Sequence, residues 1–158
     1  MTAEMDALDL NILEFLQVDS RRPFLEIARN LKVSGGTVHA RVNRMKELGV
    51  IQGSKVVIDY EKLGFSVTAF VGIKLAKAKG FKQIQDQMLL IPEIVEVHYT
   101  TGAYSLLTKI VAASMRDLYR VLSDKLQAIE DIQSTETFVV LDTPLLRDPS
   151  LKSTKETG

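Results

Sequence analysis

The chain has no cysteine and no tryptophan among its 158 residues. Without thiols it forms no disulfide, no thiolate nucleophile and no cysteine zinc site, so the fold must hold by packing alone. Only two histidines are present, His39 and His98, and neither has ligand-like spacing to another. Catalysis needs a nucleophile, an acid-base group or a metal cluster with mutual support. No such constellation is visible, nor a glycine-rich phosphate loop or metal motif, so the sequence reads as a non-enzyme without a metal. No run of about 18 apolar residues occurs, and the N-terminus lacks a basic start followed by an apolar core. The expectation is a soluble cytoplasmic protein with neither membrane span nor secretion signal. An excess of one charge is missing too: 20 Lys and Arg balance 20 Asp and Glu, so the total says nothing about nucleic acid.

The distribution of charge does. From Met1 to Asp19 stand five acids (Glu4, Asp6, Asp9, Glu14, Asp19) and no base. From Ser20 to Lys55 stand eight bases (Arg21, Arg22, Arg29, Lys32, Arg41, Arg44, Lys46, Lys55) against Glu26 and Glu47, a local net of +6. A block of that sign is the electrostatic footprint of a DNA-binding module. The length suits one ordinary domain or two small ones, and 46% apolar content is enough for a real core.

Within the basic block, Ser34 to Leu48 has helical periodicity. Val38, Val42, Met45 and Leu48 fall on or beside one apolar stripe, while Gly36, Thr37, Ala40, Asn43, Arg44 and Glu47 point away from it. Two glycines in the first turn are costly in a helix and suggest close backbone approach, for which a phosphate is a suitable partner. Ser34 is a good N-cap beside the free N–H groups and the positive dipole end of that turn. A capped surface helix with a flexible start fits the same stretch, and periodicity by itself does not separate the two.

The neighbours add the context. Asp6 can cap a first helix with Asp9 three residues on, and Leu8, Ile12, Leu13, Phe15 and Leu16 give it a stripe. Pro23 suits the first position of a second helix carrying Leu25, Ile27, Ala28 and Leu31, before Lys32-Val33-Ser34 turns the chain. Three short helices with a tight turn before the last are the helix-turn-helix arrangement, in which the third enters the major groove. The expected DNA-binding residues are Ser34, Gly35, Gly36, Thr37, His39, Ala40, Arg41, Asn43 and Arg44. Gly49 ends the third helix, and Val50 to Asp59 looks like a short turn and a β-branched strand.

From Gly64 the period changes to two. Val67, Ala69, Val71, Ile73 and Leu75 make a strand with one apolar face. An amphipathic helix (Phe81, Ile84, Met88) follows, then strands over 94–101 and 105–111, a helical stripe of Met115, Leu118, Tyr119, Leu122, Leu126 and Ile129, and a strand over 135–141. The order βαββαβ is that of a ferredoxin-like domain. The expected fold is thus α+β, with a helix-turn-helix domain over 1–52, a connecting strand or hinge over 53–64, a ferredoxin-like domain over 65–146, and a disordered tail over 147–158. Both helices of such a domain cover one face of its sheet. Phe70, Leu107, Val111 and Phe138 fall on the other, which suggests dimerisation sheet against sheet.

Particular motifs go further. Met5-Asp6-Ala7-Leu8-Asp9-Leu10-Asn11-Ile12-Leu13, Ile27-Ala28 with Val33-Ser34, Arg41-Val42 with Met45, and Gly49-Val50-Ile51 together resemble the Lrp/AsnC family of feast/famine transcription regulators. The likeness covers nearly the whole chain apart from the tail. Thr100-Thr101-Gly102-Ala103-Tyr104-Ser105 and Asp131-Ile132-Gln133-Ser134-Thr135-Glu136-Thr137 look most like the asparagine-responsive branch. The resemblance implies a regulator of transcription that binds double-stranded DNA, pairs through its C-terminal domain, assembles as an octamer and takes an amino-acid effector, with asparagine the candidate. The effector residues implied are Thr100, Thr101, Gly102, Ala103, Tyr104, Ser105, Gln133, Ser134, Thr135 and Glu136. Many members have Asp in the turn where this chain has Ala103 and Ser105, and Pro where it has Gly35 or Gly36.

The residues themselves leave two readings of that polar set. A free amino acid needs acceptors for its ammonium and donors for its carboxylate, which hydroxyls, an amide, a carboxylate and the Gly102 N–H supply. Hydrogen bonding of ordinary sheet edges uses the same groups. The alternative function is a small-molecule-binding regulator that acts on a protein partner through its N-terminal helices. Salt separates the two, because a DNA binder loses affinity steeply as counterions are released and a docked helix does not.

Overall fold

The computed structural model describes residues 4–76 and 81–151. The chain divides into two compact units. One runs up to Val57 and takes in the chain again from Leu145; the other is Ile58–Pro144.

The first unit holds three helices: α1 (Ala7–Val18), α2 (Phe24–Leu31) and α3 (Gly35–Glu47). Asp6 starts α1 in a reciprocal capping box. Its carboxylate accepts the Asp9 N–H at 2.9 Å, while the Asp9 carboxylate accepts the Asp6 N–H at 3.2 Å. Pro23 stands at the cap of α2, one residue before the first helical position expected for it. The tight turn is made by Lys32, a non-glycine residue at φ 58°. Ser34 caps α3 by accepting the Thr37 N–H at 3.0 Å, and Gly49 closes it at φ 71°. Ile12, Ile27, Ala28, Val38, Val42 and Met45 form the buried centre. Two expected stripe residues lie outside it. Leu48 is half exposed because it follows the last helical turn, and Leu25 is exposed with its tip over Gly35.

The second unit is a four-stranded antiparallel sheet in the order β2-β3-β1-β4. The strands are β1 (Val67–Leu75), β2 (Ile94–Tyr99), β3 (Leu106–Ala112) and β4 (Ile132–Val139). Helix α4 (Phe81–Met88) follows β1, and α5 (Met115–Arg120) follows β3 and widens into a π turn over Val121–Leu126. Strand alternation sends Ala69, Val71, Ile73, Leu106, Ile110 and Ala112 into one core with Ile84, Met88, Leu118, Val121 and Leu126. The buried face of α5 runs through Leu118 and Val121, three residues apart, so Val121 joins the core while Met115 and Tyr119, expected on the stripe, are exposed.

Two connections differ from expectation. The segment between the units forms no strand among the described residues, since a ladder needs a partner; Val56 is 80% and Val57 93% exposed. It ends in a 3-10 turn over Glu61–Leu63 closed by Gly64 at φ 92°. The tail was expected to be disordered over 147–158. Its described part instead runs beside α1, where Leu151 is half-buried at the edge of a groove of about 790 Å³. Leu13, Leu16, Phe24, Val42, Val50 and Ile51 line that groove, so a single leucine finds apolar cover that no periodicity announces. Residues 152–158 lie outside the described residues.

Candidate nucleic-acid interface and effector region

The packing of α3 on Val38, Val42 and Met45 fixes which face it offers outward. Ser34, Gly36, His39, Ala40, Asn43 and Arg44 are exposed, and Gly35, Thr37 and Arg41 are half-buried. The Ser34 hydroxyl is shared between the Thr37 N–H and the Thr37 hydroxyl at 2.8 Å, which ties down the first turn. The two glycines differ in purpose. A Cβ on Gly35 would stand 2.8 Å from the tip of Leu25, so this residue serves the approach of α2, whereas a Cβ on Gly36 would meet nothing closer than the Ser34 hydroxyl at 3.8 Å. Only Gly36 leaves the first turn open to a ligand. His39 stands edge-on to Phe24 at 5.9 Å and shares a hydrogen bond of 3.3 Å with Asn43.

The two arginines of α3 turn elsewhere. Arg41 Nη1 lies 2.5 Å from Asp6 Oδ2 and 3.2 Å from both oxygens of Asp9. Arg44 Nη1 lies 3.3 Å from Asp9 Oδ2, and its Nη2 donates to the Glu4 carbonyl at 3.2 Å. The Asp9 N–H, and next the Arg41 guanidinium, hold the Asp6 carboxyl below the usual carboxylate range. Asp6 and then Asp9 raise Arg41 further still. Sequence reasoning treated Asp9 as a capping residue and missed this second role, because its cationic partners are remote in the chain. Of the other bases, Arg22 reaches Glu26 at 3.5 Å and covers the Phe15 ring. Arg29 and Lys32 beside the turn carry no ion pair among the described residues.

In the second unit the two implied effector segments lie on either side of β1. Ile73 pairs with Leu106 on β3 and with Thr135 on β4. The Ser105 N–H donates to the Ile73 carbonyl at 2.8 Å, and the Thr100 hydroxyl donates to the Tyr104 carbonyl at 2.8 Å. Thr101, Gly102 and Ala103 form the exposed tip, with Gly102 at φ 106°. Register divides the second segment. Ser134 and Glu136 pair with Lys74 and Gly72 on the open face of the sheet, whereas Thr135 pairs with Ile73 on the helix side. Exposed Gln133 falls at the register irregularity opposite Lys74 and Leu75, between Ile132 and Ser134.

Tyr104 is the hinge of this arrangement. Its ring lies against Gly72, where a Cβ would stand 2.7 to 2.8 Å from ring carbons, and Lys74 Nζ is 5.9 Å from the ring centroid. The open face thus brings Tyr104, Lys74, Ser134 and Glu136 together at one end of the sheet. Lys74 was missed from sequence because nothing in the β1 alternation distinguishes a solvated lysine from one beside another strand's carboxylate. Phe70, Leu107, Val111 and Phe138 share the same open face, as register requires, and none of them is in the buried core. At its β2 edge Glu96 takes His98 and Lys109, each at 3.2 Å. Those bonds, His98's first, hold its carboxyl low against partial burial. Among the described residues no group of three His, Cys, Asp or Glu side chains could hold a metal ion, and no helix is long and apolar enough to cross a membrane.

Comparison with known proteins covers both units. Residues 5–46 match the AsnC-type helix-turn-helix domain, and residues 68–149 match the Lrp/AsnC ligand binding domain. The regulatory protein AsnC of Haemophilus influenzae is 44% identical over 144 residues, 91% of this chain and 96% of that protein. The structure of Escherichia coli AsnC superposes with a TM-score of 0.90 at 38% identity, over 94% of this chain and 99% of the other. A Neisseria meningitidis transcriptional regulator in complex with L-Met shares the fold, with a TM-score of 0.82 at 19% identity over 93% and 96% of the two chains.

Proposed function

Because this chain belongs to the Lrp/AsnC family of DNA-binding, effector-modulated transcription regulators, we propose that its effector is an amino acid, asparagine first, and that its working form is an octamer built from dimers. The outward strip of α3 enters the major groove. Gly36, Ala40, His39 and Asn43 meet bases, the Ser34 to Thr37 turn meets a phosphate, and Arg29 and Lys32 grip the backbone on either side. Gly35 belongs to this turn through its fit under Leu25. Arg41 and Arg44 act behind the interface, as argued below.

The effector binds at the end of the sheet where the two polar segments converge. Glu136 accepts from the ammonium, while Lys74 and the exposed N–H groups of Thr101, Gly102 and Ala103 hold the carboxylate. The Tyr104 ring walls the site, Thr100 and Ser105 brace the turn, and Gln133, Ser134 and Thr135 line the strand side. The observation that carries this reading is the convergence on one face of a lysine with no ion pair among the described residues, a carboxylate and an aromatic wall, the complement of a zwitterion. The partly exposed apolar centre of the same face, with Phe138 exposed and Phe70, Leu107 and Val111 half-buried, and the exposed β-branched run through Val56 and Val57 support pairing of copies.

Calorimetry and sedimentation with an amino-acid panel test the proposal. The expected result is heat and a change of assembly with asparagine that Glu136→Gln abolishes. Heat that survives in Glu136→Gln, or none with any amino acid, contradicts it.

A further inference from the structure

We propose that Asp9 is a positioning residue for DNA binding: a buried carboxylate on α1 that holds Arg41 and Arg44 and so sets the rotation of α3. The helix then meets the duplex with Gly36, Ala40 and Asn43 and not with its arginines. This rests on α3 being the helix that enters the groove.

Asp9 is the one charged side chain buried among the described residues, and both its oxygens are committed. Oδ1 takes Arg41; Oδ2 takes Arg41, Arg44 and the Asp6 N–H. A carboxylate out of water is tolerable only while a cation and hydrogen-bond donors compensate it. Were Arg41 to leave for a phosphate, Asp6 would lose its cationic partner and Asp9 one of two, with Arg44 and the Asp6 N–H left to compensate a buried charge. One solvated phosphate contact does not repay that loss, since its attraction is screened by salt and that of the buried pair is not. Arg41 therefore stays with α1 when DNA binds.

Geometry gives the clamp its effect. Arg41 and Arg44 lie three residues apart on one flank of α3, beside the buried stripe of Val38, Val42 and Met45. The apolar stripe resists separation of the helices but tolerates small rotations, because methyl and methylene surfaces slide. Directed charge-assisted bonds from two successive turns do not. Since each residue turns a helix by about 100°, a small roll moves Asn43 and Ala40 off a base edge. Two of the eight bases between Ser20 and Lys55 are in this way neutralised from within, and the phosphate grip falls to bases such as Arg29 and Lys32.

The test uses the full chain and a fluorescently labelled genomic duplex, titrated over a range of salt concentrations at a temperature where circular dichroism shows each variant folded. Arg41→Gln and Asp9→Asn are each expected to weaken binding by the same factor at every salt concentration, leaving the slope of log affinity against log salt as in the wild type. The double variant is expected to lose no more than either single one. A slope shallower by about one per protomer for Arg41→Gln makes Arg41 a phosphate contact and overturns the proposal. So does a loss of preference confined to one base pair, or unchanged affinity in a folded variant, which is what a merely structural role gives. Arg44→Gln leaves Asp9 paired with Arg41 and carries the same slope test if Arg41→Gln does not fold. If the wild type binds no duplex at low salt, the reading of α3 fails and not the clamp alone.

Discussion

Gly72 shows how one missing side chain places another. The Tyr104 ring occupies the space where a Cβ would stand, and it is the root of the ring and not a flexible tip that is in the way. Gly72→Ala is expected to cost about 1–3 kcal/mol as an overpacked site and to displace Tyr104 from the proposed effector wall. Urea unfolding reads the first effect and calorimetry the second, and unchanged asparagine binding would contradict the second. Asp6 offers a test by pH. Its carboxyl sits below the ordinary value in the folded chain, so its contribution is complete above the unfolded pKa, about 4, and is lost as the pH falls through the folded one. The stability gap between wild type and Asp6→Asn, from urea midpoints, should therefore be wider at pH 6 than at pH 3. Equal gaps would mean that the Asp6 charge does nothing for stability. The side chains that sequence placed well are those with local causes. Ser34 and Gly49 cap a helix through neighbours a few residues away. Asp9 has a sufficient local explanation as well, a capping box, and that explanation concealed its bonds to α3.

At the level of elements, periodicity was enough where burial is one-sided. Val38, Val42 and Met45 are buried on α3, and Ala69, Val71 and Ile73 on β1, because periods of 3.6 and 2 are what a single covered face imposes. It failed where geometry departs from the ideal. The buried face after β3 runs through Leu118 and Val121 and not through Tyr119, and the segment around Val56 has β-branched residues but no ladder partner among the described residues. Ile27, fully buried between the helices, is expected to lose about 2–5 kcal/mol on change to Ala, enough to abolish DNA binding while leaving the sheet unit folded. The tail gives the opposite scale of effect. Leu151→Asp removes one half-buried leucine and should cost the DNA-binding unit about 1 kcal/mol. Faster amide exchange at Leu13 and Leu16, with exchange in β1 unchanged, is the expected signature. Unaltered exchange at both would mean that the tail adds nothing to this unit.

For the whole molecule, the fold was legible because the two periodicities separate along the chain, with helical spacing alone before Gly49 and alternating strands entering only after Gly64. The effector region was only half legible. Thr100 to Ser105 forms one turn and is read as one cluster, but its proposed union with Glu136 and Lys74 depends on strand order and register, which bring two strands and that turn to one end of the sheet. That same face, with Phe70 and Phe138 outside the core, is the one on which the proposed pairing of copies can be tested. Phe70→Lys with Phe138→Lys is expected to leave circular dichroism intact and convert the sedimenting species to a monomer. A dimer that persists would move the interface elsewhere.

The most direct single measurement is fluorescence anisotropy of labelled genomic duplexes with the full-length protein as salt is raised. Tight binding at low ionic strength is expected, falling along a straight line of log affinity against log salt with a slope of several phosphates. Binding that is flat in salt, or absent from every duplex at the lowest ionic strength, would contradict a basic helix-turn-helix surface gripping DNA.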